Sequence, residues 1–237
     1  MRTVQAVAWK EIQIYFSSPT AYIVAMIFLA LASFFFVRDL SNPFPQASMS
    51  SFFQGATIIL ILLAPTLTMR LMAEEQKLGT IELLLTSPVR DWEVVLGKYI
   101  ASLVFLMGTI VLTLYFVVLL IIFADPDPGP IWSGYLGLIL YGAAALSIGL
   151  LTSTLTSNQI VAAVVAMGIL LVLYFTDFAA ATLTGLPATI VNEIGLKSHF
   201  DDFERGVIDT KHIAYYLLLT SFFVFLSIRA LESRRWR

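Results

Sequence analysis

The chain has 237 residues, 59% of them hydrophobic and 13% charged, with a formal net charge of −2. A soluble domain carries about 25% charged residues, so this composition excludes an ordinary soluble core. Charges clustered between long apolar runs read instead as a polytopic membrane protein, and the absence of cysteine excludes disulfides and thiolate metal sites.

Residues 1–19 come first in chain order. Val4, Val7, Ala8, Ile12 and Tyr15 recur at helical spacing, while Arg2, Gln5, Lys10 and Gln13 fall elsewhere on the wheel. The pattern predicts an interfacial helix with Trp9 at headgroup depth, serving either as a simple anchor or in a mechanical role. Arg2, Lys10 and Glu11 interrupt any apolar core here, so no cleavable signal peptide is expected.

Six spans follow, over residues 20–37, 52–69, 99–124, 129–151, 159–176 and 213–228. Pro65 predicts a kink near the end of the second. No charge occurs from Pro128 to Thr176, and the polar stretch 152–158 is read as the break between spans four and five. The expected fold is therefore an all-α polytopic membrane protein, with both termini on one side. Ten of the lysines and arginines fall on the side holding the termini and the loop after span two (Arg2, Lys10, Arg70, Lys77, Arg90, Lys98, Arg229, Arg234, Arg235, Arg237). Four fall on the other (Arg38, Lys197, Arg205, Lys211). The basic side is expected to be cytoplasmic.

Two segments do not span. The elbow 73–93 reads AEEQKLGTIELLLTSPVRDWE. Gly79 breaks a helix, Thr80 is placed to cap a new one, and Ser87-Pro88 stops it. Ile81, Leu84 and Leu85 share one face of this short helix and Glu82 another. Six residues do not hold a helix alone in water, so the element rests on the membrane or on a soluble partner. Asp91 and Glu93 open the third long helix, where its dipole favours negative charge. On the other side, 177–212 is a long connection. Pro187 sits in the first turn of a short helix, Ser198 and Asp201 suggest a capping box, Gly206 a left-handed cap, and Asp209 the cap of the last span. His199 and His212 lie near Asp201, Asp202 and Glu204, but no pair has clean ligand spacing, so capping and surface roles are preferred and no metal site is assigned.

The spans carry essentially no ionisable residue, which disfavours an ion-coupled carrier. No P-loop pattern is present, and no nucleophile with a base and an orienting acid presents itself. Gly134, Gly137, Gly142, Ala145 and Gly149, then Ala162, Ala163, Ala166 and Gly168, permit close helix approach, either internally or across a dimer.

The run AEEQKLGTIELLLTSPVRDWEVVLGKY resembles the signature of type-2 ABC transporter permeases, roughly E-x-x-x-G-T-x-E-x-L-L-x-x-P followed by a helix opening toward G-K. WKEIQIYFSSPTAYI and SHFDDFERGVID are similar, more narrowly, to the gliding-motility-type and nitrous-oxide-accessory-type permeases of that family. Gln76 departs from the basic residue many relatives carry. The resemblance implies a permease subunit in the cell membrane of a bacterium or archaeon. It would pair with a second copy, as a homo- or heterodimer, contact membrane lipids but no nucleic acid, and bind separate ATPase subunits. ATP and magnesium would sit in those partners, with no cofactor and no catalytic residue in this chain. The implied coupling residues are Glu74, Glu75, Lys77, Gly79, Thr80, Glu82, Leu84, Leu85 and Pro88. Trp9, Lys10 and Glu11 would belong to a connecting helix. Pro187, His199, Phe200, Phe203 and Gly206 would belong to an external re-entrant pair. An ABC-like scaffold doing mechanical or assembly work is the main alternative function, and a secondary carrier the lesser one.

Overall fold

The computed structural model describes residues 2–40, 48–80 and 89–234, all helix and connecting turn with no strand among them. Twelve helices are named here in chain order. They are α1 (Arg2–Ser17), α2 (Pro19–Leu40), α3 (Ser50–Thr68), α4 (Ala73–Lys77), α5 (Asp91–Leu112) and α6 (Leu114–Phe123). The rest are α7 (Pro128–Leu155), α8 (Gln159–Tyr174), α9 (Thr176–Thr182), α10 (Leu186–Ile194), α11 (Leu196–Glu204) and α12 (Thr210–Arg234). Six stretches are long and apolar enough to cross a bilayer: Pro19–Arg38, Ser50–Lys77, Asp91–Phe123, Pro128–Leu155, Gln159–Thr182 and Thr210–Ser233.

The bundle is built around α3 and α7, which are mostly buried, while α2, α8 and α12 keep most of their apolar surface outward. Helix α7 packs against α3, α5, α8, α11 and α12. Its small residues make that possible. A Cβ on Gly134 would run into Phe53, one on Gly137 into Phe203, and one on Gly149 into the Thr68 hydroxyl. These glycines therefore serve packing within the chain. Gly168 on α8 has open space where a Cβ would stand.

Three helix boundaries differ from the sequence expectation. The polar stretch 152–158 does separate spans four and five, but α7 runs four residues into it, to Leu155, with Thr152 and Thr154 returning their hydroxyls to Gly149 O (2.9 Å) and Leu151 O (2.6 Å). Span three is not one run. It breaks at Thr113, where the amide bonds Ile110 O at 2.9 Å in a tighter turn and the carbonyl accepts from the Phe116 amide at 3.0 Å and from Tyr135 at 3.1 Å. In the connection 177–212, Ser198 does not cap a helix. Its hydroxyl donates to Asn192 O (2.7 Å) and Gly195 O (3.0 Å), and α11 already begins at Leu196. Gly206 does take the left-handed conformation, with φ +88, closing α11 through Val207 N to Asp202 O at 2.9 Å.

Filling the α7 seam tests this packing. Gly149→Val is expected to cost about 2 kcal/mol by overpacking against Thr68, lowering the melting temperature of purified protein. Gly168→Ala, with nothing within 4 Å of the new atom, is the matched control and should leave the transition where it is or raise it.

Candidate functional site

At one end of the bundle three elements converge on one buried cation. Lys98, in the second turn of α5 and 2% exposed, donates to Glu11 of α1 at 2.7 Å and to Glu75 of α4 at 2.9 Å. The local chain is built for this meeting. Gly97 has no side chain, so Val7 can lie against α5 and bring Glu11 within reach. Tyr15 stacks on Phe105 with ring centroids 5.2 Å apart and donates its hydroxyl to Leu67 O at 2.8 Å, fixing the far end of α1. Glu93 fixes the near end, accepting from Thr3 Oγ1 and from the Arg90 amide. The apolar face expected to lie on the membrane thus packs largely on α5, while Trp9 and Lys10 stay exposed.

The elbow after span two is held by α7. The chain turns at 69–72, and Ser153 satisfies that turn almost alone. Its hydroxyl accepts from the amides of Met72 and Ala73, both at 3.1 Å, and donates to Met69 O at 3.1 Å. Gln76 donates its amide to Thr154 O at 2.9 Å, at the carbonyl end of α7. A neutral donor therefore does what a basic side chain does at a helix C-terminus. Gly79 has φ +70 and ends α4 as expected. Thr80 is helical again after the turn at 78–79, and its hydroxyl donates back to Glu75 O at 3.3 Å; the residues that follow it lie outside the described ones. Lys77, Gly79 and Thr80 are exposed and Glu74 is half-buried. Glu82, Leu84, Leu85 and Pro88 lie outside the described residues.

At the opposite end, α11 lays Leu196, His199, Phe200 and Phe203 against the bundle. Pro187 is exposed on α10. Gln54 of α3 donates to Glu204 at 2.9 Å, and Ser133 of α7 donates to Phe203 O at 2.7 Å. His199 and His212 meet through their Nδ1 atoms at 2.8 Å; His199 Nε2 donates to Glu193 O at 3.1 Å, and His212 Nε2 reaches Asp202 Oδ2 at 2.7 Å. The two histidines are thus a hydrogen-bonded pair buried between α10, α11 and α12. The sequence listed both residues without pairing them. Lys98 was likewise visible only as the lysine of a G-K pair, since a partner 87 residues away leaves no local signal.

Helices that can cross six times, with charges gathered toward the two ends of the bundle, define a polytopic helical membrane protein. The family described as ABC-2 family transporter protein matches residues 37–196. The chain belongs to that family, whose members are membrane transport subunits. It is also 30% identical, over 87 residues, to the probable multidrug ABC transporter permease YbhR of Escherichia coli, in strain K12 and in O157:H7. That match covers 37% of this chain and 23% of the relative.

Two predictions follow from the two ends. Lys98→Met leaves Glu11 and Glu75 facing each other without a cation, which should cost about 3 kcal/mol, the low end for a broken buried pair because Glu75 is partly exposed. Adding Glu11→Gln and Glu75→Gln should recover most of the lost thermal stability. At the other end, burial holds His199 below its ordinary 6.5, against the opposing pull of the Glu193 carbonyl. Its folded value lies under its unfolded one, so the contribution of the neutral ring is intact above about pH 6.5 and is lost as pH falls through the folded value. A second proton would also set two N–H groups against each other at Nδ1. Melting temperature should drop between pH 7.5 and 5 in the native chain, and by clearly less in His199→Gln.

Proposed function

We propose that this chain is the membrane-spanning permease subunit of an ATP-driven ABC exporter. A separate ATPase subunit hydrolyses ATP with bound magnesium, and this chain converts that motion into movement of a substrate across the membrane. In this reading the end carrying α1 and α4 is cytoplasmic, and both termini lie there. The membrane is that of a bacterial or archaeal cell, two permease copies pair, and the chain sits with the gliding-motility-type and nitrous-oxide-accessory-type subunits. The residues from Gly79 to Ser87 dock on the ATPase, while α10 and α11 form a re-entrant pair at the exit.

The observation that supports this most is the Glu11–Lys98–Glu75 clamp. It binds α1, the elbow and the start of span three into one unit at the place where a soluble partner would push. A load on the elbow is then delivered to two spans and to α1 together. Spans almost free of charge favour a neutral or amphipathic cargo. The name of the Escherichia coli relative is in keeping with such a cargo.

The test is reconstitution with candidate ABC ATPase subunits from the same source. The pair should co-purify in detergent or nanodiscs, and the permease should change the ATPase turnover. Gly79→Asp and Leu84→Asp should insert normally and bind lipid normally, yet abolish the stimulated fraction of ATP hydrolysis and the ATP-dependent flux. Unchanged coupling in both variants, or no association at all, would remove the reading.

A further inference from the structure

Where the ends of α1 and α2 meet α3 and α4, the fold encloses a cavity of about 540 Å³, a volume typical of small-ligand sites. One side of it is apolar, lined by Ile14, Ile23, Val24 and Leu67. Ile14 and Ile23 are 47% and 53% exposed, so this side opens on the flank of the bundle. The other side holds Lys10, Arg70, Glu74 and Glu75. Lys98 also lines the cavity, but its ammonium is already shared between two carboxylates.

The charged wall is under-used. Arg70 makes one hydrogen bond, from Nη1 to Thr20 Oγ1 at 3.2 Å, out of five N–H donors a guanidinium carries. Lys10 and Glu74 have no side-chain hydrogen bond or ion pair among the described residues. Glu75 gives Oε1 to Lys98, while its Oε2 is buried with no partner among the described residues. A buried acceptor left in that state is costly and calls for a donor. The wall therefore asks for an anion on Arg70 and Lys10 and for an N–H cation on Glu75 and Glu74, joined to something apolar.

We propose that the cavity is a binding site for one zwitterionic phospholipid carrying a primary ammonium. Its phosphate lies on Arg70 and Lys10, its ammonium donates to Glu75 Oε2 and Glu74, and its acyl chains leave past Ile14 and Ile23. A trimethylammonium headgroup has no N–H to give the orphaned oxygen. An anionic headgroup leaves both glutamates facing a phosphate. The site lies where α2 begins and α3 ends, and its apolar side opens on the flank of the bundle, where a lipid can enter it from the bilayer. The site shares Glu75 with the clamp, yet lipid binding there needs no ATPase and stands whether or not one docks nearby.

Native mass spectrometry of delipidated full-length protein, given equal amounts of phosphatidylethanolamine, phosphatidylcholine and phosphatidylglycerol, reads this directly. Phosphatidylethanolamine should be retained roughly tenfold over the other two, the weight of one hydrogen bond to a charged group. Arg70→Gln should weaken all three lipids, because all carry the phosphate. Glu75→Gln should erase the preference among them, and Glu74→Gln should reduce it should the clamp variant fail to fold. Val24→Trp, which fills the cavity, should abolish retention while the melting transition persists. Equal retention of the three lipids would overturn the proposal. So would a preference unchanged in folded Glu75→Gln or Glu74→Gln, or in folded Val24→Trp. Displacement of the lipid by an equal concentration of free phosphoethanolamine would overturn the assignment to a lipid.

Discussion

A lysine ammonium taken out of water is tolerable only where opposite charge meets it, and that requirement organises one end of this protein. Lys98 is 2% exposed and belongs to a helix that otherwise behaves as a membrane span. Its desolvation is of the order of several kcal/mol, so it is stable there only while α1 and α4 both deliver a carboxylate. Neither of those elements can hold its position alone. Helix α4 has five residues, well below what persists without tertiary contacts. Helix α1 is amphipathic and needs a surface. The cation gives two marginal elements a single place to be, and they in turn make its burial possible.

The same demand, that no polar group be left bare inside a bilayer, explains how the chain can break its helices at all. Each break beside α7 is answered by a hydroxyl from that helix. Ser153 meets the turn after span two, Tyr135 meets the break at Thr113, and Ser133 meets the end of α11 at Phe203 O. Ser133 and Ser153 are twenty residues apart on one helix. At 1.5 Å per residue that is about 30 Å, the thickness of a hydrocarbon core. The two serines therefore stand near the two membrane boundaries, where the chain has to leave the span geometry. Tyr135, one turn or less from Ser133, adds a second hydrogen bond to the Thr113 carbonyl beside that of the Phe116 amide.

The spans, the elbow and the glycine at its break were legible because they follow from composition and from local rules: apolar length, and a left-handed residue where a helix stops. The polar break 152–158 was placed rightly, but the helix before it runs four residues further than expected, to Leu155, for a physical reason. Ser and Thr usually interrupt helices by competing for backbone groups. In lipid the same hydroxyls fold back on their own helix or onto a neighbour, and the helix continues. The clamp and the histidine pair were illegible because their partners are separated by 87, 23 and 13 residues. Charge counting grouped Lys98 with the other basic residues but said nothing of its burial.

The exposed apolar faces of α2, α8 and α12 have a different meaning here than in a soluble protein. In water such surface would demand a partner; in lipid it demands nothing, since acyl chains are as apolar as leucine. The informative surface is then the polar one. Its two concentrations lie at opposite ends of α7, the clamp with its neighbouring cavity and the histidine pair with its acidic surroundings. Helix α7 touches both through Ser153 and Ser133, and α3 touches both through Leu67, which accepts from Tyr15, and Gln54, which donates to Glu204. These two helices are the most buried of the spans. Along the glycine seam Phe53, Phe203 and Thr68 fill the space a Cβ on α7 would take, so close packing joins the clamp end of the bundle to the capped end through the same two helices.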